Sequence, residues 1–191
     1  MTTFSMSRTS WWVSLRLVVV LALLLGLIYP LAVTLVGGAL FPHQATGSLL
    51  YDREGKVVGS ALVGQGFQEA RYFHGRPSAA DYAADGVSGS NLAPSNPQLR
   101  QRALDEAQRL QTRDGLVAGQ IPVDLLAASG SGIDPHISLE AAQAQRARVA
   151  QQRGLSESEV DSMISAAIDD GGWLGKPLVN VLRLNLALDA R

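Results

Sequence analysis

"LRLVVVLALLLGLIYPLAVTLVGGALF", Leu15–Phe41, decides the architecture of this chain. After Arg16 it carries no charged side chain. At a helical rise of about 1.5 Å per residue it is long enough for a hydrocarbon core of roughly 30 Å. Trp11 and Trp12 stand just before it, where amphipathic rings favour the membrane interface. Pro30 falls in its second half and either kinks one spanning helix or ends a shorter one. The competing reading is a secretory signal peptide, with Arg8 and Arg16 as its charged region and Gly37–Ala39 near a cleavage point. A signal's apolar region is typically about 7–15 residues, and this one is much longer, so the stretch reads as an uncleaved anchor. Gly26, Gly37 and Gly38 are small enough to let another helix approach closely.

The flanks set an orientation. Arg8 and Arg16 precede the span with no acidic neighbour. The first basic residue after it, Arg53, lies between Asp52 and Glu54. The positive-inside rule then keeps the N-terminus in the cytoplasm and places everything after Phe41 outside. Composition agrees with a membrane protein. Of 191 residues, 47% are hydrophobic and 17% charged, below the usual quarter or so for charge. The net charge of −1 offers no footprint for nucleic acid. The chain has no cysteine, which excludes disulfides, thiolate catalysis and cysteine zinc sites.

Beyond the span, "GSLLYDREGKVVGSALVGQ" reads as a hairpin, with Leu49–Tyr51 and Lys56–Leu62 as arms and "DREG" as the turn. The stretch from Phe67 to Pro97 has no sustained period and is dense in Gly, Ser, Asn and Pro, so it reads as a long ordered loop. Three helices follow. The first is capped by Asn96, has Pro97 at its first position, turns Leu99, Ala103, Ala107 and Leu110 to one face, and ends at Gly115. The second starts at Ser138 and stops at Gly154; the third opens with a capping box, Ser156 and Glu159, and a staple of Leu155 with Val160. Its apolar stripe is Val160, Met163, Ile164, Ala167 and Ile168. Leu182, Leu184, Leu186 and Leu188 alternate with Arg183, Asn185 and Ala187, which predicts a half-buried final strand that joins the hairpin's sheet. The expected fold class is α+β: one N-terminal transmembrane helix, with 1–41 as cytoplasmic N-terminus and anchor, then a small soluble extracytoplasmic domain over 42–191 with a sheet and about three helices.

"AASGSGIDPHIS", Ala127–Ser138, contains the groups of a serine-hydrolase triad. Such a triad needs a base beside the nucleophile and a third group orienting the base, and residues this close in sequence rarely meet that geometry. No G-x-S-x-G elbow is present. A turn explains the stretch better: Ser129–Gly132 reverse the chain, Asp134 accepts backbone N–H bonds beside Pro135, and Ser138 caps the second helix with Glu140 in its first turn. "GQGFQE" at Gly64 has Glu69 where a dinucleotide fingerprint needs glycine, and Lys56 and Lys176 belong to no phosphate loop. His43, His74 and His136 are far apart with no second ligand at helical spacing, so no metal site is expected. In "YFHGRPS", Tyr72, Phe73, His74 and Arg76 either anchor a partner surface or pin their own loop. "SGSNLAPSNP" has Asn91 and Asn96 beside serines, as Asx turns require. The residues expected to contact a partner or structure the loops are Gln65, Tyr72, Phe73, His74, Arg76, Ser90, Asn91, Ser95, Asn96, Ser129, Ser131 and Asp134.

Taken in order, "YPLAVTLVGGALFP", "GSLLYDREGKVVGSALVGQ", "YFHGRPSA", "SGSNLAPSNP", "PVDLLAASGSGIDPHIS" and "VNVLRLNLALD" resemble the C-subunit family of the bacterial Kdp-type potassium-transporting P-type ATPases over nearly the whole chain. The resemblance implies a non-catalytic subunit of a four-subunit pump in the bacterial inner membrane. Its partners would be a channel-like subunit that selects potassium, a P-type subunit that hydrolyses ATP, and a small single-span peptide. It also implies help with assembly and a raised ATP affinity of the catalytic subunit. ATP and potassium are then handled by the complex, and the chain has no cofactor of its own. The phosphorylation motif "DKTGT" of P-type pumps is absent, as that division of labour requires. The other class that stands is a membrane-anchored extracytoplasmic hydrolase using Ser129 or Ser131 with His136.

Overall fold

The structure, a computed structural model, describes residues 8–173 and 175–191. Two compact units divide the chain, one ending at Ser48 and the other running Leu49–Arg191.

In the first unit, helix α1 (Arg8–Leu23) passes through a π turn (Leu24–Ile28) into α2 (Tyr29–Leu40). The π turn answers the question that Pro30 poses. Proline cannot donate to the carbonyl four residues back, and its ring presses on that carbonyl. Widening the preceding turn relieves the conflict: the Tyr29 N–H bonds Leu24 O, five residues back. The helix therefore continues through the proline. Trp11–Leu40 forms one run of 30 residues, the only one among the described residues long and apolar enough to cross a membrane. Trp11 and Trp12 meet edge to face at 5.3 Å at its start. A short turn, α3 (Pro42–Ala45), closes the unit, with the Thr46 hydroxyl donating to Pro42 O at 2.9 Å.

The second unit is α+β, as expected, but holds two sheets. The hairpin β1 (Leu49–Tyr51) and β2 (Val57–Ser60) pairs antiparallel, Leu49 opposite Ser60. Asp52 makes its turn by accepting the Glu54 and Lys56 N–H groups, both at 2.9 Å, and Gly55 takes φ +79°. The second arm stops at Ser60, short of the expected Leu62, because the Ser60 hydroxyl accepts the Leu62 N–H and turns the chain. Residues 61–96 contain no helix or strand. Helix α4 (Pro97–Asp114) follows, with Asn96 accepting from Gln98 N and Gly115 in the left-handed region, both as expected. After a single turn, α5 (Val123–Leu126), come β3 (His136–Ser138), α6 (Leu139–Arg153), α7 (Glu157–Ala166), β4 (Ile168–Asp169), β5 (Leu178–Asn180) and α8 (Val181–Asp189). Ser138 caps α6, and Ser156 with Glu159 forms the capping box of α7.

Two expectations fail here. The C-terminal leucines form helix α8, and the strand is the short segment just before them. Leucines at 182, 184, 186 and 188 suit a strand's alternation, but Val181, Leu184, Asn185 and Leu188 also make a helical stripe, and these four are buried together with Leu182. Leucine, alanine and arginine favour helix, and Asn180 caps it by accepting the Arg183 N–H at 3.1 Å. The final strand also does not extend the hairpin. It is the middle of a second antiparallel sheet, ordered β3-β5-β4, with Ile137 opposite Val179. The Asn180 side chain reaches toward the hairpin, donating to Ala61 O at 2.8 Å, and Leu182 packs beside Gly59 of β2. Phe73, Leu110, Ile137, Val149, Val160, Ile164, Val179 and Leu184 form the core. Each such side chain contributes about 1.5–3 kcal/mol by burial.

Candidate functional site

The stretch "YFHGRPS" is bound like a peptide ligand by helices that lie far from it in sequence. Asn185 on α8 receives the Phe73 N–H at 2.9 Å and donates to Phe73 O at 2.9 Å. Gln145 on α6 does the same for His74, at 2.8 and 3.0 Å. Each amide side chain presents one donor and one acceptor to one residue, as a neighbouring strand would. Arg148 donates to Tyr72 O at 2.8 Å and also bonds Ala70 O; Arg153 donates to Arg71 O at 2.8 Å. Further along, the Tyr82 hydroxyl donates to Arg76 O at 2.5 Å and the Ser129 N–H to Pro77 O at 2.8 Å.

Arg148 is the hub. Its side chain is 6% exposed and pairs with the fully buried carboxylate of Asp114, which also holds Arg113 at 2.7 Å. Burial pulls the Arg148 guanidinium below its ordinary pKa, against the attraction of Asp114. His74 sits beside this cluster. Arg113 can only donate, so the His74 Nδ1 it meets is an acceptor. The ring proton is then on Nε2, which donates to Glu69 O at 3.1 Å. Burial, and then the charge of Arg113, lower the imidazole pKa to about 4, so His74 is neutral at physiological pH.

Tyr72 and Phe73 both tie their loop to the body of the domain. Phe73 is fully buried and belongs to the core. The guanidiniums of Arg71 and Arg153 lie over the Tyr72 ring, at 4.8 and 5.1 Å, and its hydroxyl donates to Asp189 at 2.9 Å. Gly64 is required by close backbone: a Cβ there would meet Asp134 O at 2.5 Å as well as the Tyr82 ring at 3.1 Å, and one on Gly75 would come within 3.0 Å of the Tyr82 hydroxyl. Burial first, then Asp134 and Glu106, push the Tyr82 phenol up to about 12. Gln65 folds back on the hairpin, donating to Val58 O at 2.8 Å.

The serine stretch is the turn that its residues suggested. Ser129 is buried and its hydroxyl accepts the Ser131 and Gly132 N–H groups at 3.2 and 3.0 Å; the Ser131 hydroxyl accepts from Ile133 N at 3.2 Å. Asp134 accepts the His136 N–H and holds Arg76, both at 3.0 Å. The ring of His136 pairs loosely with Asp134 at 3.8 Å, while the two serine hydroxyls bond each other at 3.1 Å. Among the described residues no hydrogen bond joins either serine hydroxyl to the His136 ring. In "SGSNLAPSNP", Asn96 caps α4, Asn91 takes φ +50° and is exposed, Ser90 is half-buried and Ser95 exposed, and the backbone at Ser88 and Gly89 packs against Gly130 and Gly132 of the serine turn.

Sequence reading missed Gln145, Arg148 and Asn185. The signal was present: each is a polar residue at a position where the helical period demands an apolar one, among Ala141, Ala142 and Val149 in one helix and Leu184 and Leu188 in the other.

The sequence comparisons settle the family. The model of the KdpC family, described as the c chain of a K+-transporting ATPase, matches residues 11–190. The chain belongs to the KdpC family. Among its relatives, a potassium-transporting ATPase KdpC subunit of Myxococcus xanthus is 50% identical over 182 residues, covering 93% of this chain and 86% of the relative. One of Synechocystis sp. is 52% identical over 188 residues, covering 94% and 97%, and one of Shewanella putrefaciens is 49% identical over 177 residues, covering 92% and 88%. As a KdpC subunit, the chain is a component of a potassium-transporting ATPase with one helix able to span the membrane.

Proposed function

We propose that this KdpC chain is an accessory, non-catalytic subunit of an ATP-driven potassium uptake pump. The observation that carries the reading is where its polar groups are spent. Gln145, Arg148, Arg153, Asn185 and Tyr82 all bond loop backbone, which builds a rigid docking face rather than a reaction centre. The proposed partners are a channel-like potassium-selecting subunit, the P-type subunit that hydrolyses ATP and a small single-span subunit. Open space surrounds Gly26, Gly37 and Gly38 on the apolar helix, which suits close approach of partner helices during assembly.

In this reading 1–41 is a cytoplasmic N-terminus and anchor in the inner membrane, and 42–191 is an external domain near the potassium entrance. The exposed loop around Asn91 and Ser95 is its proposed contact with the channel-like subunit. Nucleotide lies on the other side of a bilayer about 40 Å thick with its headgroups. Any effect on ATP affinity is then indirect, a coupling of typically about 1–3 kcal/mol through the span and the partners. Asp85 is exposed and the chain has no native cysteine, so a cysteine at Asp85 tests the topology without background. It reacts with an impermeant thiol reagent added to spheroplasts. Labelling from the cytoplasmic side alone would overturn both the topology and the indirect mechanism.

A further inference from the structure

Helix α4 has a second, cationic face. Arg102, Glu106, Arg109 and Arg113 recur at helical spacing and line one wall of a cleft of about 300 Å³; Arg76 and Asp81 of the clamped loop stand on the other. The cleft thus gathers four guanidiniums and two carboxylates. Three of the arginines have carboxylate partners: Arg109 holds Glu106 at 2.9 Å, Arg113 holds Asp114 at 2.7 Å and Arg76 holds Asp134 at 3.0 Å. Asp114 and Asp134 are not in the lining, and they fix two of the guanidiniums without filling the cleft. Arg102 has no ion pair and no side-chain hydrogen bond among the described residues, and its Nε is buried without an acceptor. The Nε of Arg76, across the cleft, is buried and unpartnered in the same way. Buried N–H groups are ordinarily satisfied, so two orphaned guanidinium donors lining one polar cleft call for an acceptor there. His74, also in the lining, points its lone pair at Arg113 and supplies no negative charge.

We propose that this cleft binds a phosphate-type oxyanion, with Arg102 making its direct ion pair and Arg76 and Arg109 completing the donor set. Donors arrive from two walls. A tetrahedral oxyanion accepts from both at once, whereas a planar carboxylate satisfies one guanidinium fork. One wall of the site belongs to the clamped loop and the other to α4, and the proposal does not depend on the accessory reading. Its anion comes from free phosphate or from an anionic lipid headgroup, which share this chemistry.

The test uses the full chain in neutral detergent at low salt, titrated with inorganic phosphate by calorimetry. Saturable one-to-one binding is expected, displaced by sulfate and weakened by sodium chloride. Arg102→Gln should weaken it at least tenfold with the thermal midpoint unchanged or raised. Arg102→Lys, which keeps the charge and loses the fork, should weaken it several-fold and covers the case where the glutamine variant misfolds. Arg100→Gln, the same charge change at an exposed position two residues away, should leave binding intact. Absence of saturable binding, or equal losses in the Arg100 and Arg102 variants, would overturn the proposal. Native mass spectrometry from phosphatidylglycerol-doped nanodiscs then identifies the source. Lipid retained by the wild type and lost in Arg102→Gln points to a headgroup; equal retention points to free anion. Both fit the site once the titration has succeeded.

Discussion

"YFHGRPS" and "SGSNLAPSNP" belong to the same stretch without helix or strand, and they are held in opposite ways. The first has its backbone groups taken up by side chains from α6 and α8, with Phe73 fully buried beneath. The second is held by backbone ties near its ends: the Asn96 N–H bonds Ala93 O, Asn96 caps α4, and Gly89 lies so close to Gly130 that a Cβ would meet its carbonyl at 2.7 Å. Asn91, Pro94 and Ser95 stay exposed between those points. An irregular segment is therefore rigid or adaptable according to which distant side chains reach it, and composition does not distinguish the two. The clamped loop shapes a cleft, while the exposed loop remains available to a partner.

Breaking the hub tests this contrast most severely. Arg148→Ala strips two loop carbonyls of their donor and leaves buried Asp114 with Arg113 alone. A loss of about 3–5 kcal/mol is expected, read by urea denaturation, with hydrogen exchange rising first at residues 70–74. An unchanged denaturation midpoint would mean the loop is held by its apolar contacts instead.

Asn185→Ala removes a neutral clamp and orphans the Phe73 N–H and carbonyl. It should cost about 1–3 kcal/mol and leave the Gln145–His74 pair closed. Faster exchange at Phe73 without a change at His74 would show that the two clamps act independently; equal opening of both would show one cooperative unit.

Acid should loosen the clamped loop before the exposed one. The folded pKa of His74 is lowered to about 4 from 6.5, so between those values the unfolded chain binds the extra proton. The stability from keeping His74 neutral is present above about pH 6.5 and is lost as pH falls toward about 4. His74→Gln should flatten the pH dependence of the urea midpoint across that window. A variant with the wild-type slope would assign acid sensitivity to another group.

The smallest effect is expected at Ser95→Ala, within about 0.5 kcal/mol of wild type, since the residue is exposed and outside any clamp. Co-purification with the channel-like subunit sharpens the comparison. A stable variant that loses capture identifies this loop as the contact; a destabilised one shows that it is structural after all.

Local chemistry made much of this molecule legible from its residues alone. The apolar run after Arg16, the Asp52 turn, the Asn96, Ser138 and Ser156 caps and the left-handed Gly115 and Gly154 are decided within a few residues, because an N–H at a helix start or a turn is satisfied by its nearest side chain. The motif order over the whole chain likewise pointed to its family. Tertiary structure decided the rest. Leu182–Leu188 fits two periods, and only the packing of Val181, Leu184, Asn185 and Leu188 selects the helix. Two sheets replace one because β5 finds its register against Ile137 and Ile168 rather than the hairpin. The clamp on "YFHGRPS" joins groups 71 and 112 residues apart. No local preference encodes such a bond; it exists because the core, once packed, leaves buried backbone groups that Gln145 and Asn185 are placed to satisfy.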